Sequence, residues 1–168
     1  MSGRFIEDYE VGETLVSGTY TLTRESLVRF ASEYDPQPMH IDEEFARGAG
    51  PFGDVIASGF QSVAIAFKLF VETGVFDGDV ALGGPGMSDV RWLKPVFAGD
   101  ELVNHATILE ARRSTSKPDR GLIRVQHKLH NQSGETVVTC VTVSMVRCRE
   151  PGNHGTAPGA RCAAHGLR

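Results

Sequence analysis

The segment from Gly59 to about Thr73 constrains the fold more than any other part of the chain. It carries Phe60, Val63, Ala64, Ile65, Ala66, Phe67, Leu69, Phe70 and Val71. At 3.6 residues per turn these groups fall on most sides of a helix, so the helix is predicted to be central and buried. Gly74 is its predicted stop. The apolar stretch is shorter than the roughly 20 residues a bilayer demands, and Gln61, Ser62, Lys68, Glu72 and Thr73 interrupt it, so no membrane span is expected.

A buried helix needs a cover, and the second half of the chain supplies strand patterns. Ser88 to Leu93 is one candidate, closed by Lys94-Pro95. Glu101 to Arg112 is a longer one. Leu122 to Asn131 alternates, with Ile123, Val125, His127 and Leu129 on one face and Arg124, Gln126, Lys128 and His130 on the other. Gln132-Ser133-Gly134 reads as a hairpin turn, and Glu135 to Arg147 is rich in β-branched residues. Helices followed by an antiparallel meander give an α+β fold, with an antiparallel β-sheet wrapped around a long central helix.

Upstream, Glu13 to Leu22 reads as a strand. Thr23 is placed to N-cap a helix running to about Tyr34, with Leu27, Phe30, Ala31 and Tyr34 on one face. Pro36 and Pro38 predict a loop after it. Asp42 is placed to cap a short helix through Ala46, and Gly50, Pro51 and Gly53 mark a further loop.

The chain has 168 residues, enough for one ordinary domain, and 40% hydrophobic residues exclude wholesale disorder. Residues 1–149 are expected to form that domain. From 150 to 168 the sequence is rich in Gly, Pro and Ala with no apolar period, and a disordered tail is expected. With 17 Lys and Arg against 21 Asp and Glu, the basic excess of a nucleic-acid binder is missing. The first residues are acidic and lack an apolar leader core. Cys140, Cys148 and Cys162 lack metal-ligand spacing, which fits a reduced, cytoplasmic protein. His105, His127 and His130 fall on strands without partners at metal spacing, so no metal site is expected.

One loop carries chemistry: Tyr34-Asp35-Pro36-Gln37-Pro38-Met39-His40-Ile41-Asp42. It places a carboxylate and an imidazole five positions apart on a stretch stiffened by two prolines. Histidine takes and gives a proton near neutrality, and a stiff loop holds an acid–base pair without loss of entropy at each turnover. On spacing alone, Asp35 as a turn cap and His40 as a surface histidine remain open. A second feature is Ala57-Ser58-Gly59 at the start of the apolar helix. There the backbone N–H groups are free and glycine allows close approach of a carbonyl. A plain helix start capped by Ser58 remains open as well.

Taken together, Asp35-Pro36-Gln37-Pro38-Met39-His40-Ile41-Asp42, Phe45-Ala46 and Ile56-Ala57-Ser58-Gly59 resemble the MaoC-like, or enoyl-CoA hydratase 2, family. Asp89-Val90-Arg91-Trp92-Leu93-Lys94-Pro95-Val96 and Gly99-Asp100-Glu101-Leu102 look like its strand and turn pattern. The resemblance covers about residues 5 to 148. It implies a hotdog fold, pairing as a homodimer or higher homo-oligomer, and an acyl-CoA thioester as substrate. The implied reaction is reversible hydration of a trans-2-enoyl thioester to an (R)-3-hydroxyacyl thioester, with no cofactor beyond the coenzyme A of the substrate. Asp35 and His40 match the catalytic pair, and Gly59 matches the residue whose N–H takes the thioester oxygen. Pro38, Ser58 and Phe60 are expected at the substrate. Gln37 stands where many members have Asn, and Ser58 where many have His. A thioesterase on the same fold and a non-catalytic acyl-thioester-binding subunit are the alternatives.

Overall fold

The computed structural model describes residues 3–150, so nearly all of the expected tail, with Cys162, His154 and His165, lies outside the described residues. Four helices precede most of the sheet: α1 (Arg24–Tyr34), α2 (Pro38–Ile41), α3 (Glu43–Gly48) and α4 (Gly59–Phe70). Thr23 Oγ1 accepts the Ser26 N–H at 3.1 Å and starts α1. Asp42 Oδ1 does the same for α3, taking the Phe45 N–H at 2.9 Å. Beyond α4 the chain makes a wider turn over Val71–Val75 and stops where Gly74 takes a φ of 82°.

The strands are β1 (Thr14–Val16), β2 (Tyr20–Thr21), β3 (Gly86–Trp92), β4 (Glu101–Arg113), β5 (Arg120–His130) and β6 (Thr136–Arg147). They form an antiparallel sheet in the order β1-β4-β5-β6-β3, with β2 also on β4. The sheet packs on α4. Leu102, Leu129, Val137 and Val138 meet Ala66 and Leu69 in one apolar cluster, while Ile108, Ile123, Val125 and Val146 surround Phe70 in another. On β5, Ile123, Val125, His127 and Leu129 face inward, as the alternation predicts. No described helix is long and apolar enough to cross a membrane.

Four expectations need correction. The strand expected over Glu13 to Leu22 is two short strands, because Ser17 turns aside and its backbone N–H bonds the Asn104 carbonyl. The loop expected at Pro36 and Pro38 contains the helical turn α2. Pro38 stands at its first position, where a missing N–H costs nothing. On α1 the face expected from periodicity is buried only at Leu27 and Ala31, and Tyr34 is exposed. Most consequentially, α4 is not buried all round. Phe60 is 65% exposed and Phe67 36%, while Gln61 and Ser62 are buried. Gln61 donates to the Ser26 carbonyl at 3.1 Å and Ser62 to the Ser58 carbonyl at 3.3 Å. The Gln61 amide nitrogen and the Ser62 hydroxyl thus find partners inside, although Gln61 Oε1 has none, and the Phe60 and Phe67 rings are left on an open face.

Candidate active site

Asp35 and His40 come together because α1 ends at one and α2 carries the other. The Asp35 N–H bonds the Ala31 carbonyl at 2.8 Å and closes α1; Gln37 and His40 then turn back through short backbone bonds. His40 is 4% exposed. Its Nδ1 lies 2.8 Å from the Ile56 carbonyl oxygen, which can only accept, so Nδ1 carries a proton and donates. Its Nε2 lies 3.3 Å from Asp35 Oδ2. The imidazole is held from behind by the backbone and presents its other nitrogen to the carboxylate.

Both carboxylate oxygens are engaged. Ser58 Oγ donates to Oδ2 at 2.6 Å, and Gln37 Nε2 donates to Oδ1 at 2.7 Å. These two hydrogen bonds, Ser58 foremost, hold the Asp35 carboxyl below the usual aspartate range against the opposing effect of burial, with the neighbouring imidazole helping. Asp35 is therefore ionised at neutral pH.

Ser58 also caps α4, its Oγ accepting the Phe60 N–H at 3.2 Å. Gly59 is the first residue of α4, so its N–H has no carbonyl one turn back to bond. A Cβ on Gly59 would stand 2.5 Å from Trp92 Nε1 and 2.6 Å from Trp92 Cε2. Only glycine lets the helix start lie against that ring. Asp35, His40 and Gly59 line one cleft of about 420 Å³, whose walls include Phe52, Phe60 and Trp92.

The expected residues divide as follows. Asp35, His40, Gly59 and Phe60 line the cleft. Ser58 is fully buried behind it and acts on Asp35. Pro38 is exposed and does not line the cleft; its place is the start of α2. Trp92 is 53% exposed in the single chain and edges Phe60 at 6.2 Å between ring centroids. Sequence reasoning missed it as a wall of the site. Gln37 was noticed only as a departure from a family pattern, although a donor two residues from a carboxylate is a local signal. Among basic residues, Lys94 lines the cleft and pairs with Glu135, while Arg112 pairs with Glu110 and Arg113 with Glu7.

Comparison with known proteins bears on this cleft. A family model described as a MaoC like domain matches residues 8–131. The uncharacterized protein YdeM of Bacillus subtilis is 35% identical over 127 residues, 76% of this chain and 87% of that protein. Mesaconyl-CoA hydratase of Cereibacter sphaeroides is 30% identical over 160 residues, 94% of this chain but 45% of that protein. Among solved structures, the MaoC-like dehydratase from Rhodospirillum rubrum superposes with a TM-score of 0.79 at 36% identity, covering 88% of this chain and 99% of that one.

Proposed function

This chain belongs to the MaoC-like dehydratase family and has its hotdog fold, and we propose that it adds water to, and removes it from, an acyl-CoA thioester. The reaction is trans-2-enoyl-CoA plus water giving (R)-3-hydroxyacyl-CoA. The observation that carries this reading is the convergence of an ionised Asp35, a backbone-held His40 and the free Gly59 N–H on one cleft.

A water between Asp35 and the His40 Nε2 gives one proton to the pair as its oxygen bonds Cβ. The π electrons move toward the carbonyl, and negative charge develops on the thioester oxygen. The Gly59 N–H at the positive end of α4 faces that charge, a contribution of about 3–4 kcal/mol by analogy with single oxyanion donors. The pair then returns a proton to Cα. Water is consumed, one C–O and one C–H bond form, and the catalytic groups end as they began. Delivery from one pair puts both parts of water on the same face. Ser58 and Gln37 are positioning residues that keep Asp35 charged and aimed. These residues need no metal and no redox cofactor for these steps.

A homodimer fits the same surface. Among the described residues β3 pairs only with β6 and leaves its other edge open, and Phe60, Phe67, Met87 and Trp92 are exposed beside it. An open strand edge next to exposed aromatic side chains is a surface that pairing with a second copy satisfies.

The test is a panel of enoyl-CoA thioesters, following loss of the conjugated double bond alongside release of free thiol. Hydration without thiol release is expected, with Asp35→Asn and His40→Ala each abolishing turnover in a folded protein. Thiol release instead would make the protein a thioesterase. No reaction with any thioester would leave a binding subunit.

A further inference from the structure

A second hollow of about 530 Å³ lies beside the far half of α4, between Phe67, Phe76, Met87 and Met145, with Thr142 and Ser144 in its wall. The inward row of β6 explains the two hydroxyls. Val138, Cys140, Thr142, Ser144 and Val146 are all buried, so a polar pair sits within an apolar row. Thr142 is 4% exposed and Ser144 5%.

A buried relay decides how Thr142 is used. Asn104 Nδ2 lies 2.9 Å from the Ala66 carbonyl oxygen, which fixes the amide as donor there. The same nitrogen is 3.1 Å from His127 Nδ1, so that ring nitrogen accepts. This orientation is kept although it leaves Asn104 Oδ1 without a partner. Burial pushes the His127 imidazole down to about 4, so at neutral pH it has one ring proton, and that proton is on Nε2. Nε2 donates to Thr142 Oγ1 at 2.9 Å. The hydroxyl proton of Thr142 is then left without an acceptor among the described residues, and Ser144 Oγ makes no hydrogen bond to any of them.

The hollow lies along the same helix and strand as the cleft, although the two share no lining residue. Phe60 lines the cleft and Phe67 the hollow; seven residues apart, they share one face of α4 about 10 Å from each other along its axis. Across the seam, Trp92 lines the cleft and Met87 the hollow, both from β3. The two are successive stations between the same helix and the same strand.

We propose that this hollow takes the far end of the acyl chain, and that Thr142 and Ser144 select chains with an uncharged oxygen function, a hydroxyl or carbonyl, at that end. The inference rests on the reading of the cleft as a thioester hydratase site. No lysine or arginine lines the hollow, so a terminal carboxylate would shed its water without gaining a counter-charge. A plain alkyl end would leave two buried hydroxyls unanswered. An uncharged oxygen meets both conditions.

The experiment compares kcat/KM of the full chain for trans-2-decenoyl-CoA and for its ω-hydroxy and ω-carboxy analogues, with crotonyl-CoA alongside. The ω-hydroxy substrate is expected to exceed the unsubstituted one by about tenfold, with the ω-carboxy analogue below both. Ser144→Ala and Thr142→Val are each expected to reduce that ratio severalfold, and Thr142→Ser to keep it. Ser144→Ala leaves the relay untouched, so it decides the matter even where Thr142→Val fails to fold. Equal rates for the three long substrates, a preference for the carboxylate, or a ratio unmoved by Ser144→Ala and Thr142→Val overturns the inference while hydration of crotonyl-CoA stands. No hydration of any substrate overturns the proposed function and this inference with it.

Discussion

Ser58 Oγ lies 2.6 Å from Asp35 Oδ2, and the same oxygen caps the helix whose first residue, Gly59, lines the cleft. One hydroxyl thus ties the carboxylate to the start of α4, where the proposed oxyanion donor lies. Ser58→Ala removes the strongest of the groups that hold the Asp35 carboxyl low. The carboxyl then takes up a proton at higher pH, so the acid limb of the kcat/KM profile is expected to move upward in pH. Loss of the cap adds about 1 kcal/mol of destabilisation. An acid limb that stays in place would show that Ser58 does not tune Asp35.

Gly59→Ala is expected to lower kcat/KM by about a hundredfold, because the new methyl meets the Trp92 ring and displaces the N–H. The double variant Gly59→Ala with Trp92→Ala is expected to regain part of the loss. Steady-state kinetics of the two variants check this, and full activity in Gly59→Ala alone would count against a placed N–H.

His127 predicts an acid weakness in the fold. Its folded value is about 4 against roughly 6.5 unfolded. Between the two, the unfolded chain binds a proton that the folded chain refuses, so stability is full above the upper value and falls as pH drops toward the lower. The loss attributable to this residue is on the order of 3 kcal/mol. Urea unfolding at a series of pH values checks it: His127→Gln should show a shallower decline across that window than the unmodified protein.

Met87→Glu is expected to weaken the proposed dimer, since Met87 is exposed on β3, whose outer edge is open among the described residues. Sedimentation velocity is the measurement. A dimer of undiminished strength would place the interface elsewhere.

Much of this was legible before any coordinates. Thr23 and Asp42 announce two helix starts, and the alternation around His127 gives the buried face of β5, because capping and pleating are local effects. The loop from Asp35 to His40 is equally local, and two prolines mark it. The orientation of α4 was not legible. Its periodicity is apolar nearly all round, so which side faces the sheet depended on where Gln61 and Ser62 could find partners. The place of Trp92 in the cleft wall was not legible for the same kind of reason: nothing nearby in sequence says that β3 brings its ring against Gly59.

The sequence by itself determined most of the segments that become helix and strand, the short spacing of Asp35 and His40 and the glycine at the helix start, since these follow from interactions within a few residues. Only the tertiary structure decided that Ser58 reaches across 23 positions to Asp35, that the Ile56 carbonyl selects the protonated nitrogen of His40, and that the Asn104–His127–Thr142 relay ends at a hollow. Hydrogen bonds between groups distant along the chain depend on how the elements pack. That packing is set by the burial of α4 against the whole sheet, and no short window of residues contains it.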